Sequence, residues 1–231
     1  MVWQVAGMTF GAGWLPPLSA VLVSVAGMAM RGELVGPLSA SLASLAIGYP
    51  AAVVAGVLVG AALARSEVVR HLFDVYFDAL MASPTLIYVP VLFALFGVSR
   101  ASQVAVVFAY AFFVIAGMTE LGIRDTDRRL TDMARAFGAS ERQVFWSVCL
   151  PAAMPAVLTG VRLGAARAVK GMVVGEIVIA LTGLGAVLKA SGGRFDITGV
   201  LSILLVILAV SVSCNTVVRA LERHVLGHRA A

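Results

Sequence analysis

Charge is what this sequence has least of. Only 13% of its 231 residues are Asp, Glu, Lys or Arg, and 61% are hydrophobic. Soluble domains carry roughly 25% charge, so a soluble fold is excluded and an integral membrane protein is expected. Cysteine is nearly missing. Cys149 and Cys214 sit in apolar surroundings with no C-x-x-C spacing, which argues for packing residues rather than a disulfide or a metal site. The three histidines, His71, His224 and His228, fall at span ends or in the tail, so no mid-membrane pair exists to hold a haem. There is no G-x-x-x-x-G-K-[ST] phosphate loop, hence no route to ATP hydrolysis by that device in this chain. Nucleophile triads, paired acid/base carboxylates and metal clusters are missing too. No catalytic residue, cofactor or metal is therefore expected. The net charge of +5 needs no nucleic-acid partner if the basic residues sit in loops on one side of a bilayer.

What the sequence has is long apolar runs. Runs near twenty residues point to helices, since membrane β-strands alternate over about ten. The run within Met1–Pro17 is too short to cross ~30 Å of hydrocarbon and has neither a charged n-region nor a small-residue cleavage site. It reads as the tail of a short or truncated first helix. Leu18–Leu34 reads as a surface helix. Ser39–Ala64 is a span carrying Gly56-x-x-x-Gly60, a pattern that lets helices approach closely. Arg65, Glu67, Arg70 and His71 form a polar loop. The next span, from about Phe77 to Phe96, should be kinked by Pro84 and Pro90, and Asp74 and Asp78 mark its entry. Gln103–Thr119, Pro155–Leu181 and Ile197–Val218 are further spans, and Gly183 to Asp196 reads as an irregular Gly-rich connection. The expected fold is all-α: a polytopic bundle of five secure transmembrane helices and a partial sixth.

Between two of these spans lies Thr131–Pro151, TDMARAFGASERQVFWSVCLP, the longest polar-tolerant stretch. It reads as a helix, a break at Gly138-Ala139-Ser140, and a second helix entered through a capping box of Ser140 and Gln143. Gly138 suits a helix end that needs positive φ, and Leu150-Pro151 is expected to close the second helix. The segment is a rigid, bent knuckle. The side holding it has ten arginines (Arg65, Arg70, Arg124, Arg128, Arg129, Arg135, Arg142, Arg219, Arg223, Arg229), and the other side has four cations (Arg31, Arg100, Lys189, Arg194). The excess places the knuckle and the C-terminus in the cytoplasm.

The span after the knuckle carries the other chemistry. Gly160, Gly164, Arg167, Gly171 and Gly175 share one helical face, which suits close crossing, as at a subunit interface. Arg167 and nearby Lys170 are costly in lipid and should face a cavity or a partner. Glu176 falls on the opposite face. Pro84, if it breaks its helix, is a further candidate for lining a pathway. These four, Arg167, Lys170, Glu176 and Pro84, are the translocation-path candidates.

The knuckle resembles the EAA loop of binding-protein-dependent ABC importer permeases. Asp132-Met133-Ala134 stands for Glu-Ala-Ala, Gly138 for the glycine, Val148 for the isoleucine and Leu150-Pro151 for the Leu-Pro, with every spacing kept. The departures, Asp for Glu, Met for Ala and Val for Ile, are mild. From about Leu15 to Leu226 the chain is similar to the permeases of the sulfonate, taurine and nitrate group. Gly160-Val-Arg162-Leu, Gly164, Arg167-Ala, Gly175-Glu176, Gly183-Leu184-Gly185, Phe195-Asp196 and Phe96-Gly97 carry that likeness. Val114 and Met118 depart from it, where a proline and an asparagine are usual. The resemblance implies a permease domain over 35–226, preceded by 1–34 and followed by a tail at 227–231. It implies two separate ATPase subunits, an extracellular or periplasmic substrate-binding protein and a second copy of the chain, in a bacterial-type inner membrane. Asp132, Ala134, Arg135, Gly138, Ala139, Glu141, Arg142, Leu150 and Pro151 would then couple to the ATPase, and the cargo would be a small anion such as a sulfonate, taurine or nitrate. The rivals are an ATP-independent channel or carrier, and an importer permease for a non-anionic solute.

Overall fold

The computed structural model describes residues 2–10, 14–66, 79, 83–179 and 182–227. All the regular structure in them is helical. The helices are α1 (Val2–Phe10), α2 (Leu18–Met30), α3 (Val35–Arg65), α4 (Tyr88–Phe96), α5 (Arg100–Arg124), α6 (Arg128–Ala136), α7 (Glu141–Val144), α8 (Leu150–Ile179), α9 (Leu184–Gly193) and α10 (Ile197–Gly227). Four of them are long and apolar enough to cross a membrane, namely α3, α5, α8 with the turns before it, and α10.

The core is α5 held between α3 and α8. Side-chain size explains the arrangement, because small residues on the two outer helices meet large ones on the middle helix. On α3, Gly48 faces Val107, Gly56 faces Ile115 and Gly60 faces Thr119 and the Ala116 carbonyl. On α8, Gly160 faces Met118, Gly164 faces Ile115, Gly171 faces Tyr110 and Gly175 faces Val106. Ile115 fills notches on both sides and is fully buried. Without a hydrophobic drive between helices in lipid, such close packing is a main source of association. The glycines of α8 thus serve a helix crossing within the chain rather than a subunit interface, because α5 supplies the bulky complement.

The helix at Leu18–Met30 buries one residue, Val21, whose carbonyl accepts from Ser202 Oγ of α10 at 3.3 Å, and its other residues are exposed or half-buried. At 13 residues and about 1.5 Å each, α2 falls short of the hydrocarbon thickness. Before it, α1 turns back, with Trp3 Nε1 donating to the Pro16 carbonyl at 3.1 Å and Gln4 exchanging two hydrogen bonds with Ser19. Two expectations from the sequence need correction. The expected kinked span at 77–96 is broken instead. A 3-10 turn at Thr85–Ile87 follows Pro84, and α4 starts only at Tyr88. Proline disfavours helix in the residue before it, whereas Pro90 lies in the first turn of α4, where no intrahelical donor is lost. The start of that span, including Phe77, lies outside the described residues, as do Glu67, Arg70, His71, Asp74, Asp78 and Leu181. Finally, the connection from Gly183 to Asp196 contains a ten-residue helix, α9.

Candidate functional site

Two regions carry the candidate residues, the knuckle and α8. In the knuckle, α6 starts at its N-cap Asp127, whose side chain accepts from the Arg129 N–H at 2.9 Å. The helix ends where Gly138 takes φ +86. The Gly138 N–H donates to the Arg135 carbonyl at 2.9 Å and the Ala139 N–H to the Ala134 carbonyl at 3.1 Å. This is a left-handed helix stop, and it favours glycine because a Cβ is strained there. Ser140 then opens α7 with the expected capping box: Gln143 N–H donates to Ser140 Oγ, and Ser140 N–H donates to Gln143 Oε1 at 2.8 Å.

A salt bridge fixes the bend. Arg135 Nε donates to Glu141 Oε1 at 2.7 Å, a second bond joins the same two groups at 3.0 Å, and Arg135 also reaches Asp132 at 3.2 Å. The hydrogen bonds from Arg135, with its charge, hold the Glu141 carboxyl below its usual range, and the bonds from Glu141 raise Arg135 in turn. Both groups are solvent-exposed, so the brace adds geometry more than stability. Arg142 and Asp132 are exposed, Ala134 and Ala139 half-buried, and a Cβ on Gly138 would meet nothing within 4 Å.

Leu150-Pro151 does not close the second helix. After α7 the chain passes through one π-helical turn, Phe145–Cys149, and continues unbroken as α8 to Ile179. The Leu150 N–H reaches back five residues to the Phe145 carbonyl. A proline at 151 would otherwise crowd the carbonyl of Ser147, and the wider π turn covers that residue. The knuckle is thereby continuous with a membrane-spanning rod. Its root is fixed to α3, with the Arg65 guanidinium 5.4 Å from the centroid of the Phe145 ring.

The sequence reading missed the knuckle's apolar surface. Phe137 is 85% exposed at the bend, and Leu130, Met133 and Trp146 are exposed beside it. Leu130, Met133 and Phe137 recur at three- and four-residue spacing, so they share one exposed apolar face of an otherwise polar helix.

Along α8 the two faces differ in chemistry. Gly160, Gly164, Ala168, Gly171 and Gly175 are buried against α5. Leu163, Ala166, Arg167 and Lys170 are exposed. Arg167 stands at the edge of the glycine face, and neither it nor Lys170 has an ion-pair partner among the described residues. Arg162 lies 3.7 Å from Glu222 of α10, and Arg124 pairs with Glu120 at 3.2 Å. Glu176 lines no open surface. It is 1% exposed and accepts from the Gly185 N–H at 2.8 Å. Pro84 is exposed and sits just before the 3-10 turn at Thr85–Ile87. The structure therefore brings Arg167 and Lys170 together on one open face and removes Glu176 from it.

The exposed knuckle thus joins α5 to α8, and α8 carries Arg167 and Lys170 on an open face. Residues 52–227 match the family described as the binding-protein-dependent transport system inner membrane component. The chain belongs to this family. The permease is 30% identical to the taurine transport system permease protein TauC of Escherichia coli, over 91% of this chain and 78% of that protein. It is 27% identical to the formylaminopyrimidine transport permease protein ThiX of Halalkalibacterium halodurans, over 99% and 92%. Among solved structures it is similar in fold to an amino acid ABC transporter, with a TM-score of 0.65 over 81% of this chain and 92% of that one, at 17% identity. It is thus a transport permease subunit of the inner membrane.

Proposed function

We propose that two copies of the permease enclose the translocation path of an ATP-driven importer for a small anionic solute. The observation that carries this reading is the open face of α8. Arg167 and Lys170 stand there, with no ion-pair partner among the described residues, on a helix long and apolar enough to cross a membrane. A cation facing lipid is expensive, so such residues face a cavity or a partner. A second copy applied to this face turns the two cations into four around a shared path, and four cations select against cationic cargo. The likeness to a taurine permease supports a solute that presents a sulfonate group to these cations.

The knuckle supplies the coupling. Phe137, Met133 and Leu130 form an apolar face around which Asp132, Arg135, Glu141 and Arg142 lie exposed, as in a docking patch with a polar rim. Two separate ATPase subunits would seat one knuckle each on the cytoplasmic side, and a substrate-binding protein would deliver cargo to the outer side. Because α7 runs into α8 without a break, displacement at the knuckle moves the cation-bearing helix itself.

The test is uptake by vesicles holding the permease with its co-purified ATPase. Arg167→Gln with Lys170→Gln should lower uptake of the anionic cargo about tenfold or more, the scale of a lost charge-assisted contact, while ATPase still co-purifies. Gly138→Trp should abolish uptake and release the ATPase while membrane insertion persists. Wild-type permease that transports without any ATPase would replace this reading with an independent channel or carrier.

A further inference from the structure

Glu176 is the one charged residue in the buried core among the described residues, and its surroundings are unusually specific. Its Oε2 accepts from the Gly185 N–H at 2.8 Å, while the Leu184 N–H donates to Ser41 Oγ of α3 at 2.9 Å. These are first-turn donors of α9, which no intrahelical carbonyl can reach, and the carboxylate sits at the positive end of the helix. The fit is also steric. A Cβ on Gly183, where φ is +95, would fall on the Glu176 carboxylate, and one on Gly185 would lie 2.7 Å from Glu176 Cβ. Alongside, Ser44 Oγ donates to Gln103 Oε1 at 3.3 Å, and Gln103 Nε2 donates to Thr182 Oγ1 at 3.4 Å. At its other end α9 leads to Phe195, 91% exposed and held at φ +54. That bend is fixed by the Asp196 N–H donating to the Ser191 carbonyl at 3.0 Å and the Gly199 N–H donating to Asp196 Oδ1 at 2.9 Å.

A carboxylate is a poor choice for stability alone. Burying one in a span is costly, and an apolar contact would hold the two helices as well. What it adds is direction, since it fixes α9 to α8 in one orientation. Both ends of α8 then carry an exposed aromatic on a rigid mount, Phe137 on the knuckle and Phe195 beyond α9.

We infer that Glu176 is a positioning residue that makes α9 and its Phe195 tip a rigid extension of α8, so that a substrate-binding protein touching the outer tip is felt at the knuckle. Transmission to an ATPase rests on the function proposed above; the rigid attachment of α9 does not.

The attachment is read by spin-label distances in nanodiscs. Ala152→Cys, near the start of α8 and fifteen residues before Arg167, and Lys189→Cys on α9, both exposed positions, are introduced with Cys149→Ala and Cys214→Ala. The distance distribution should be narrow in this parent and in Glu176→Gln, whose amide oxygen still accepts from Gly185. Glu176→Ala should broaden it or add a second population, because losing a hydrogen bond to a charged group shifts such an equilibrium about ten- to a hundredfold. Gly183→Ala, which displaces the carboxylate from the other side, should broaden it too. A distribution in Glu176→Ala as narrow as the parent's overturns the attachment. In the complete complex, the ratio of binding-protein-stimulated to unstimulated ATP hydrolysis should fall about tenfold in Glu176→Ala and recover in Glu176→Gln. An unchanged ratio alongside broadened distances overturns transmission. Failure to recover any ATPase sinks the coupling reading, and the distances still decide the attachment.

Discussion

At the scale of single residues, Gly138 separates conformation from contact. Its φ of +86 penalises any side chain, yet its Cα faces open space. Gly138→Ala should therefore cost only about 1 kcal/mol of local stability, visible as faster amide exchange around Ala139, with uptake largely kept. Gly138→Trp adds bulk on the docking face and should abolish coupling. The brace from Arg135 to Glu141 titrates in a defined direction. Glu141 is held below the usual carboxylate range, so the brace is fully present above that range and is lost as pH falls through the lowered value. Amide protection at Ser140 should hold steady from pH 7 down to about 4.5 and fall only below it. Loss of protection near pH 6 would show that another group sets the bend.

At the scale of helices, the fold depends on α5 meeting two faces of small residues. A Cβ on Gly56 would lie 2.9 Å from the Ile115 side chain, and one on Gly60 would run into the Ala116 carbonyl, which cannot yield as a side-chain tip can. Gly60→Val should destabilise the bundle by about 1–3 kcal/mol, lowering its unfolding temperature in detergent. Gly36→Ala, at a position with nothing within 4 Å, should leave that temperature almost unchanged. Equal effects from the two would mean that helix packing is not the sensitive term. The π turn at Phe145–Cys149 belongs to the same scale, since it lets one helix carry a proline and still link knuckle to span.

For the whole molecule, the open cation face of α8 predicts its own partner. Ala166 lies exposed between Leu163 and Lys170. A cysteine there, in a background of Cys149→Ala and Cys214→Ala, should cross-link to a second copy in native membranes and give a dimer on a denaturing gel. A chain that stays monomeric on cross-linking would place this face against a different subunit or against lipid.

Much of this was legible in the sequence, for reasons that differ by feature. Apolar run lengths and scarce charge determined a helical membrane protein, because backbone in lipid has few other ways to satisfy its hydrogen bonds. The knuckle was readable because its devices are local: a glycine for positive φ, and a serine with a glutamine three residues on. Two local signals misled. Pro151 was read as a stop, but the π turn before it is a backbone choice that no residue type announces. Residues 183–196 read as irregular, because the acceptors that start α9 lie on other helices: Glu176 of α8, nine residues before Gly185, and Ser41 of α3, 143 residues from Leu184. Helical periodicity placed the glycines of α8 on one face but not what fills them. Only the tertiary structure decided that Ile115 and Tyr110 do so, that Glu176 turns inward and that Arg167 and Lys170 stay open. Those outcomes depend on which helices become neighbours, a matter of packing complementarity between segments far apart in the chain.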